Sequence, residues 1–319
     1  MRPRTVCVHG RRLVTKIGAY DNAAEFPASI PTFAHYLRQL GYRTCLTGKM
    51  HFVGPDQLHG FEERLNTDVY PSDHAWTPNW DDPHERIDKW YHNMGSVKDA
   101  GSTATTFQLE YDEEVAFTAK RRIFDYARHR DLPFAMTVSF IHPHDPYVAR
   151  PEFWDRYEGV EIDLPTSPLA EDPHSVRLRN AIEATAVSVT DEQIANARRA
   201  DREHHLRRQQ DGEIARTLEE AELLDDTIVV FTGDHGDMLG ERGLWYKMST
   251  LDHSMRVPLV MAGPGTGRVA GVGHGPRRPL PGRRSIRCGD RSRRYGARRI
   301  LRGVFGAPDL HDSPWPVEV

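Results

Sequence analysis

The sequence predicts an α/β fold: a doubly wound, mostly parallel sheet flanked by helices. Three observations predict it. Short apolar runs (FAMTVSFI, TIVVFT) alternate with longer amphipathic stretches, the pattern of strands joined by helical crossovers. The runs are nearly continuous in apolar residues, as strands are when helices cover both sheet faces. Polar clusters follow the runs at once, and in open α/β sheets ligands gather at the carboxyl ends of the strands.

The elements follow in order. PTFAHYLRQLG (31–41) reads as an amphipathic helix, with Phe33, Tyr36, Leu37 and Leu40 at helical spacing, Pro31 near the first turn and Gly41 just past the end. Tyr42–Leu46 reads as a short strand. Residues 55–105 are rich in Pro, Trp, Asp and His without periodicity, and read as long loops around a site. Glu110–Arg128 predicts a long helix and Phe134–Ile141 a strand with both faces covered. Glu213–Leu224 predicts a helix, Thr227–Thr232 a second buried strand, and Leu259–Ala262 a third. There are no internal repeats.

Composition bounds the class. The chain has 319 residues, 42 Lys+Arg against 46 Asp+Glu, a net charge of −4 and 38% hydrophobic residues. That is enough apolar material for a sizeable core. Near-balanced charge with distributed aromatics excludes a disordered chain and argues against nucleic acid as the main partner. No apolar run approaches the roughly 18 residues that span a bilayer, and MRPRTVCVHGRR lacks the apolar stretch of a signal peptide. Cys7, Cys45 and Cys288 lie far apart and form no metal or disulfide spacing. The expectation is a reduced, cytoplasmic protein with no membrane partner; self-association is left open.

Three polar clusters carry the chemistry. Gly233-Asp234-His235-Gly236 follows TIVVFT directly. A carboxylate beside an imidazole there is either half of a divalent-cation site or a turn capped by Asp234. Gly48-Lys49-Met50-His51 follows the strand YRTCL, and His142-Pro143-His144-Asp145-Pro146-Tyr147 follows the strand FAMTVSFI. One such histidine is usually a satisfied surface group. Lysine and histidines at three strand ends suit a tetrahedral anionic ester: lysine as a point charge, histidine as an anion ligand or proton carrier.

GKMHFVGPDQLHGFEERL, SFIHPHDPYVAR and GDHGDMLGERGLWYKM together make residues 17–264 resemble a sulfatase of the alkaline phosphatase superfamily, within it the choline-sulfatase branch. The resemblance implies Asp234 and His235 as ligands of a divalent cation, Ca²⁺ by preference. It implies Lys49, His51, His144 and Lys247 around the sulfate and leaving-group oxygen, with His142 as a further substrate-side candidate. The implied substrate is a small sulfate ester such as choline sulfate. Trp76, Trp80, Trp90 and Tyr91 then either hold the quaternary ammonium by cation–π attraction or simply pack the loops.

Two parts of the family pattern are absent from the sequence: an Asp-Asp pair after a first strand, and the Cys-x-Pro-x-Arg motif whose cysteine becomes formylglycine, the nucleophile. Cys7 is followed by Val-His-Gly. Read one base later in GC-rich codons, MRPRTVCVHGRRLV yields C-A-P-G-R-S-A-F-M-A-G-R-L-V, which contains the motif. DREHHLRRQQD (201–211) likewise shifts into an ordinary amphipathic helix start, and HGPRRPLP (274–281) into T-A-P-V-D-L-F-P, which resembles the strand-and-helix segment that follows in sulfatases. Between Arg268 and Arg302 stand twelve arginines, no lysine and one aspartate. The expected division is a remnant or out-of-frame 1–16, a partial catalytic domain over 17–267 lacking the first strand and the carboxy-terminal subdomain, and an Arg/Gly/Pro-rich tail over 268–319, disordered or out of frame. The chain is therefore expected to be an impaired or inactive sulfuric ester hydrolase. Competing readings are a phosphodiester or phosphonate hydrolase of the same superfamily, a non-catalytic binder of sulfated ligands, and a basic-tailed nucleic-acid binder.

Overall fold

The computed structural model describes residues 14–18, 22–74, 92–202 and 204–265. In chain order its elements are α1 (Val14–Ile17), α2 (Phe33–Gln39), β1 (Arg43–Gly48), β2 (Glu63–Arg64), α3 (Gly95–Lys98), β3 (Gly101–Ser102), α4 (Phe107–Arg128) and β4 (Phe134–Ser139). Then come β5 (Val148–Ala149), α5 (Pro151–Trp154), α6 (Pro173–Ala181), α7 (Asp191–Asp201), α8 (His204–Glu220), β6 (Val229–Thr232), α9 (Asp252–Met255) and β7 (Leu259–Ala262).

Local chemistry sets the helix starts. Thr32 and the side chain of His35 close a capping box at α2. Thr106 accepts from the Leu109 amide at 3.2 Å and opens α4. Along α4 the buried residues Leu109, Asp112, Val115, Ala116, Ala119, Ile123 and Tyr126 recur every three or four positions, so one face turns inward. Asp112 is the exception in that apolar stripe.

β1 is central in a parallel sheet of order β2-β1-β4, with Arg43 to Gly48 in register against Phe134 to Ser139. β3 and β5 form a second parallel pair, and β6 and β7 an antiparallel one with Val229 opposite Ala262. The α/β class and its parallel sheet thus hold, with three differences from the sequence reading. β4 is half-buried throughout rather than covered on both faces, because among the described residues it borders the sheet. β6 and β7 are not buried: Val230, Leu259 and Val260 are at least half exposed, since a two-stranded ribbon has little to cover it. The helix expected over 213–224 begins earlier, at His204, and ends at Glu220.

Four apolar clusters lie beneath this framework. One joins Phe26, Leu46, Met50 and Phe52. A second gathers Met94, Tyr147, Trp245 and Tyr246. A third sits between α4, α8 and β1, around Cys45, Ile123 and Leu218. The last holds Tyr111, Val115 and Ile141 with Val69 and Tyr70 at its margin. Among the described residues no helix is long and apolar enough to cross a membrane.

Candidate active site

Gly48 ends β1 with φ +98°, and a Cβ there would lie 1.9 Å from the Ser139 carbonyl oxygen. The position therefore needs glycine, and the chain leaves the strand without parting from β4: the Lys49 amide still donates to Ser139 at 2.9 Å. Beyond it the amides of Met50 and His51 both donate to one oxygen of Asp68, at 2.9 and 2.6 Å. Arg64 pairs with the same oxygen at 2.7 Å, and the two side chains are 9% and 3% exposed. A buried, compensated carboxylate thus fixes the loop that carries Lys49 and His51. The His51 ring stacks on Tyr70 at 4.8 Å, and the Lys49 ammonium stands 5.4 Å from the centre of that tyrosine ring.

A second carboxylate does the same at the end of β4. Asp112, fully buried on α4, accepts from the amides of Ile141 and His142 at 2.7 and 3.0 Å, and its carboxylate lies 3.0 Å from Nδ1 of His142. This turns His142 toward the helix. His144 faces the cleft instead. Its Nδ1 lies 2.9 Å from the Asp145 carbonyl and 3.0 Å from the Asp145 carboxylate, so Nδ1 carries the hydrogen and Nε2 is left as an acceptor. Lys247 donates to that Nε2, and the Tyr70 hydroxyl lies 3.3 Å from it. The Asp145 carboxylate also meets His92 Nδ1 at 3.0 Å and Ser96 at 3.4 Å, and His92 stacks on Tyr246 at 4.3 Å.

The third strand tip brings Asp234 and His235. His235 Nδ1 donates to the Gly236 carbonyl at 2.7 Å, which leaves Nε2 3.5 Å from Asp234. Asp237 then accepts from the amides of Leu239 and Tyr246 and from the Tyr147 hydroxyl at 2.9 to 3.0 Å, fixing the turn that delivers Lys247.

Charges tie these tips together. Burial and the neighbouring Lys247 push His144 down to about 3, against the partial support of Asp145. Burial lowers Lys247 to about 7; Lys49 lowers it further, and Asp145, Asp237 and Asp234 partly oppose the shift. Burial also lowers His235 to about 4. Asp234 is raised by burial, but Lys49, His235 and Lys247 together hold it below the usual carboxylate value. Lys49, His144, Asp234 and Lys247 therefore share one electrostatic environment, and His51 joins it through Tyr70. His142 does not project into that group. Trp76, Trp80, Trp90 and Tyr91 lie outside the described residues.

Asp234 and His235 match the donor types of a divalent-cation site and supply two ligands, whereas a calcium ion takes six to eight oxygens. His92, His144 and Asp145 also place ligand atoms within 4.8 Å of one another, but Lys247 donates into the same histidine, which favours an anion on that side. Sequence reading missed Asp68, Asp112, Asp145, Tyr70 and His92 as site residues. Asp112 left a signal, a carboxylate on the apolar stripe of a helix; Asp68 and Tyr70 left none.

The sulfatase family model matches residues 9–278. The chain is 52% identical to a choline-sulfatase of Rhizobium meliloti (strain 1021) over 263 residues, which are 80% of this chain and 51% of that protein. It is 26% identical to an iduronate 2-sulfatase of Mus musculus over 73% of this chain and 45% of that one. The chain thus spans about half the length of these curated relatives. Among solved structures, a phosphonate monoester hydrolase from Silicibacter pomeroyi aligns with a TM-score of 0.59 at 19% identity, over 82% of this chain and 58% of that one. One from Agrobacterium radiobacter aligns with a TM-score of 0.56 at 20% identity, over 83% and 58%. At such identities these two report the fold.

Proposed function

The chain belongs to the sulfatase family of sulfuric ester hydrolases, and from that premise we propose that its cleft holds a small sulfate ester, choline sulfate in the first instance. The observation that carries this reading is that Lys49, His144 and Lys247, from separate segments, all stand around Tyr70. Two ammonium groups and a histidine around one residue suit a sulfuryl group and the oxygen that leaves with the alcohol. The identity to a choline-sulfatase supports the choice of ester.

The residues have distinct parts in this reading. Lys49 offsets the charge of the sulfuryl oxygens. Lys247, with a pKa of about 7, is the group that holds a transferable proton near neutrality. His144, at about 3, is neutral there and accepts from Lys247, so it orients the acid. Binding of the anion raises both values. Asp234 and His235 would hold a divalent cation, Ca²⁺ by family preference, which would polarise the sulfuryl oxygens. Trp76, Trp80, Trp90 and Tyr91 remain candidates for the quaternary ammonium. The Cys45 thiol, buried and pushed up to about 12 by that burial, is inert.

No Cys-x-Pro-x-Arg motif stands in the 319 residues, so an attacking atom is not among the parts they supply. The proposal is that these residues alone bind the ester without turning it over. Calorimetry with choline sulfate, beside hydrolysis assays of choline sulfate and a chromogenic aryl sulfate, tests it. Binding without hydrolysis is expected. Metal-dependent turnover abolished by Asp234→Ala would refute the second half, and absence of binding the first.

A further inference from the structure

One carboxylate faces two histidines from distant segments. Asp145 presents one oxygen to Nδ1 of His144 at 3.0 Å. Its other oxygen meets Nδ1 of His92 at 3.0 Å and the Ser96 hydroxyl at 3.4 Å. Its main-chain carbonyl takes His144 Nδ1 at 2.9 Å and the side-chain amide of Gln108, at the start of α4, also at 2.9 Å. The tip of β4, the segment leading into α3 and the start of α4 are thus joined at a single residue. The side chains of Asp145, His92 and His144 are 12%, 20% and 11% exposed, so little water competes for these bonds.

The carboxylate is ionised. Burial opposes its charge, but His144 and His92 hold it well below the usual carboxylate value. An ionised carboxylate only accepts, so both imidazoles carry their hydrogen on Nδ1 and keep a lone pair on Nε2. For His144 that lone pair is what receives Lys247. A hydrogen on Nε2 would instead point at an ammonium that can only donate. For His92 the tie sets a ring that stacks on Tyr246, one residue before Lys247, at 4.3 Å and lies 5.6 Å from the His144 ring. Asp145 therefore reaches Lys247 by two routes, through an imidazole lone pair and through the tyrosine beside it.

We propose that Asp145 is a positioning residue for the sulfate site: it locks His92 and His144 in the Nδ1–H tautomer and so aims the Lys247 ammonium at the bound anion. This rests on the reading of the cleft as a sulfate site. It gives an acidic residue a favourable part in binding an anion. By charge alone Asp145 repels sulfate, and its loss would tighten binding. As a positioning residue, its loss weakens binding. The sign of the effect separates the two.

The test uses the full chain and inorganic sulfate as the probe, with affinity measured by calorimetry. Asp145→Asn is close to isosteric but offers one oxygen and one amide donor to two Nδ1–H groups, so one histidine must give up that tautomer. Sulfate is expected to weaken about fivefold to tenfold, the worth of one hydrogen bond. ¹⁵N spectra of the histidine rings, assigned through their bonds to the backbone, read the tautomers directly. His92 and His144 are both expected as Nδ1–H in wild type, and one of them as Nε2–H in the variant. The wild-type spectrum decides even where Asp145→Asn fails to fold: either ring found with its hydrogen on Nε2 overturns the proposal. Unchanged or tighter sulfate in Asp145→Asn overturns it while the sulfate site stands. Weaker sulfate with both rings still Nδ1–H marks a merely structural effect and overturns it too. Lys247→Ala is the arm that tests the site itself. If wild type binds no sulfate, or binds it as tightly without that ammonium, the reading of the cleft fails and the proposal with it.

Discussion

Lys247 donates to Nε2 of His144 across 103 positions of sequence. Because burial lowers Lys247 to about 7, its charge, and with it the grip on an anion, is lost as pH rises above neutrality. Sulfate affinity is expected to fall between pH 7 and 9 in wild type. Lys247→Ala is expected to lower it by about tenfold or more at pH 6, the range for a charge-assisted hydrogen bond, and to flatten the profile. Calorimetric titrations across that range check both.

Acid is expected to destabilise the fold earlier than carboxylate titration alone would. His144 and His235 keep values of about 3 and about 4, against 6.5 for an ordinary histidine. Below pH 6.5 the unfolded chain takes up protons that these two folded histidines refuse. Stability therefore falls as pH drops from 6.5 toward 4, by up to about 1.4 kcal/mol per unit for each group. Asp145, held well below 3.8 by His144 and His92 against the opposing effect of burial, adds a contribution present above 3.8 and lost below it. Urea midpoints at pH 7.5, 6 and 5 measure the first effect, and His144→Asn is expected to reduce the slope.

Asp112 holds two successive amides and the ring of His142. Asp112→Ala is expected to cost about 3 kcal/mol, since it strands buried donors. Glu113→Gln, one position away on the exposed side of the helix in an ion pair with Arg150, is expected to change little. Chemical denaturation of the two variants gives the comparison.

Gly48 and Gly41 separate two costs of adding a methyl group. At Gly41, φ is +87° and nothing lies within 4 Å, so Gly41→Ala carries only the backbone penalty, about 1–2 kcal/mol. At Gly48 the same penalty is joined by a clash with the Ser139 carbonyl. Gly48→Ala is expected to cost about 3 kcal/mol or more and to weaken sulfate binding, because it prises β1 from β4 next to Lys49. Paired melts and sulfate titrations decide.

The strand tips were legible because Lys49, His51, His144, Asp234 and His235 follow their strands directly in the chain. The helix over α2 and the strand β7 were legible for a similar reason: their apolar spacing and their Pro and Gly boundaries are local. Asp68 and Asp112 were not, because each acts through backbone amides of a distant segment, and no residue type advertises that an amide needs an acceptor. Burial of β4 and β6 was overestimated because an apolar run records what a strand is able to pack against, not whether a neighbour lies alongside it.

Residues beside the site belong to three different apolar clusters: Met50 and Phe52 to one, Ile141 and Tyr70 to another, Trp245 and Tyr246 to a third. No single cluster holds them all. A methyl group trimmed from any one cluster is therefore expected to detune the site while the chain still melts as a folded protein.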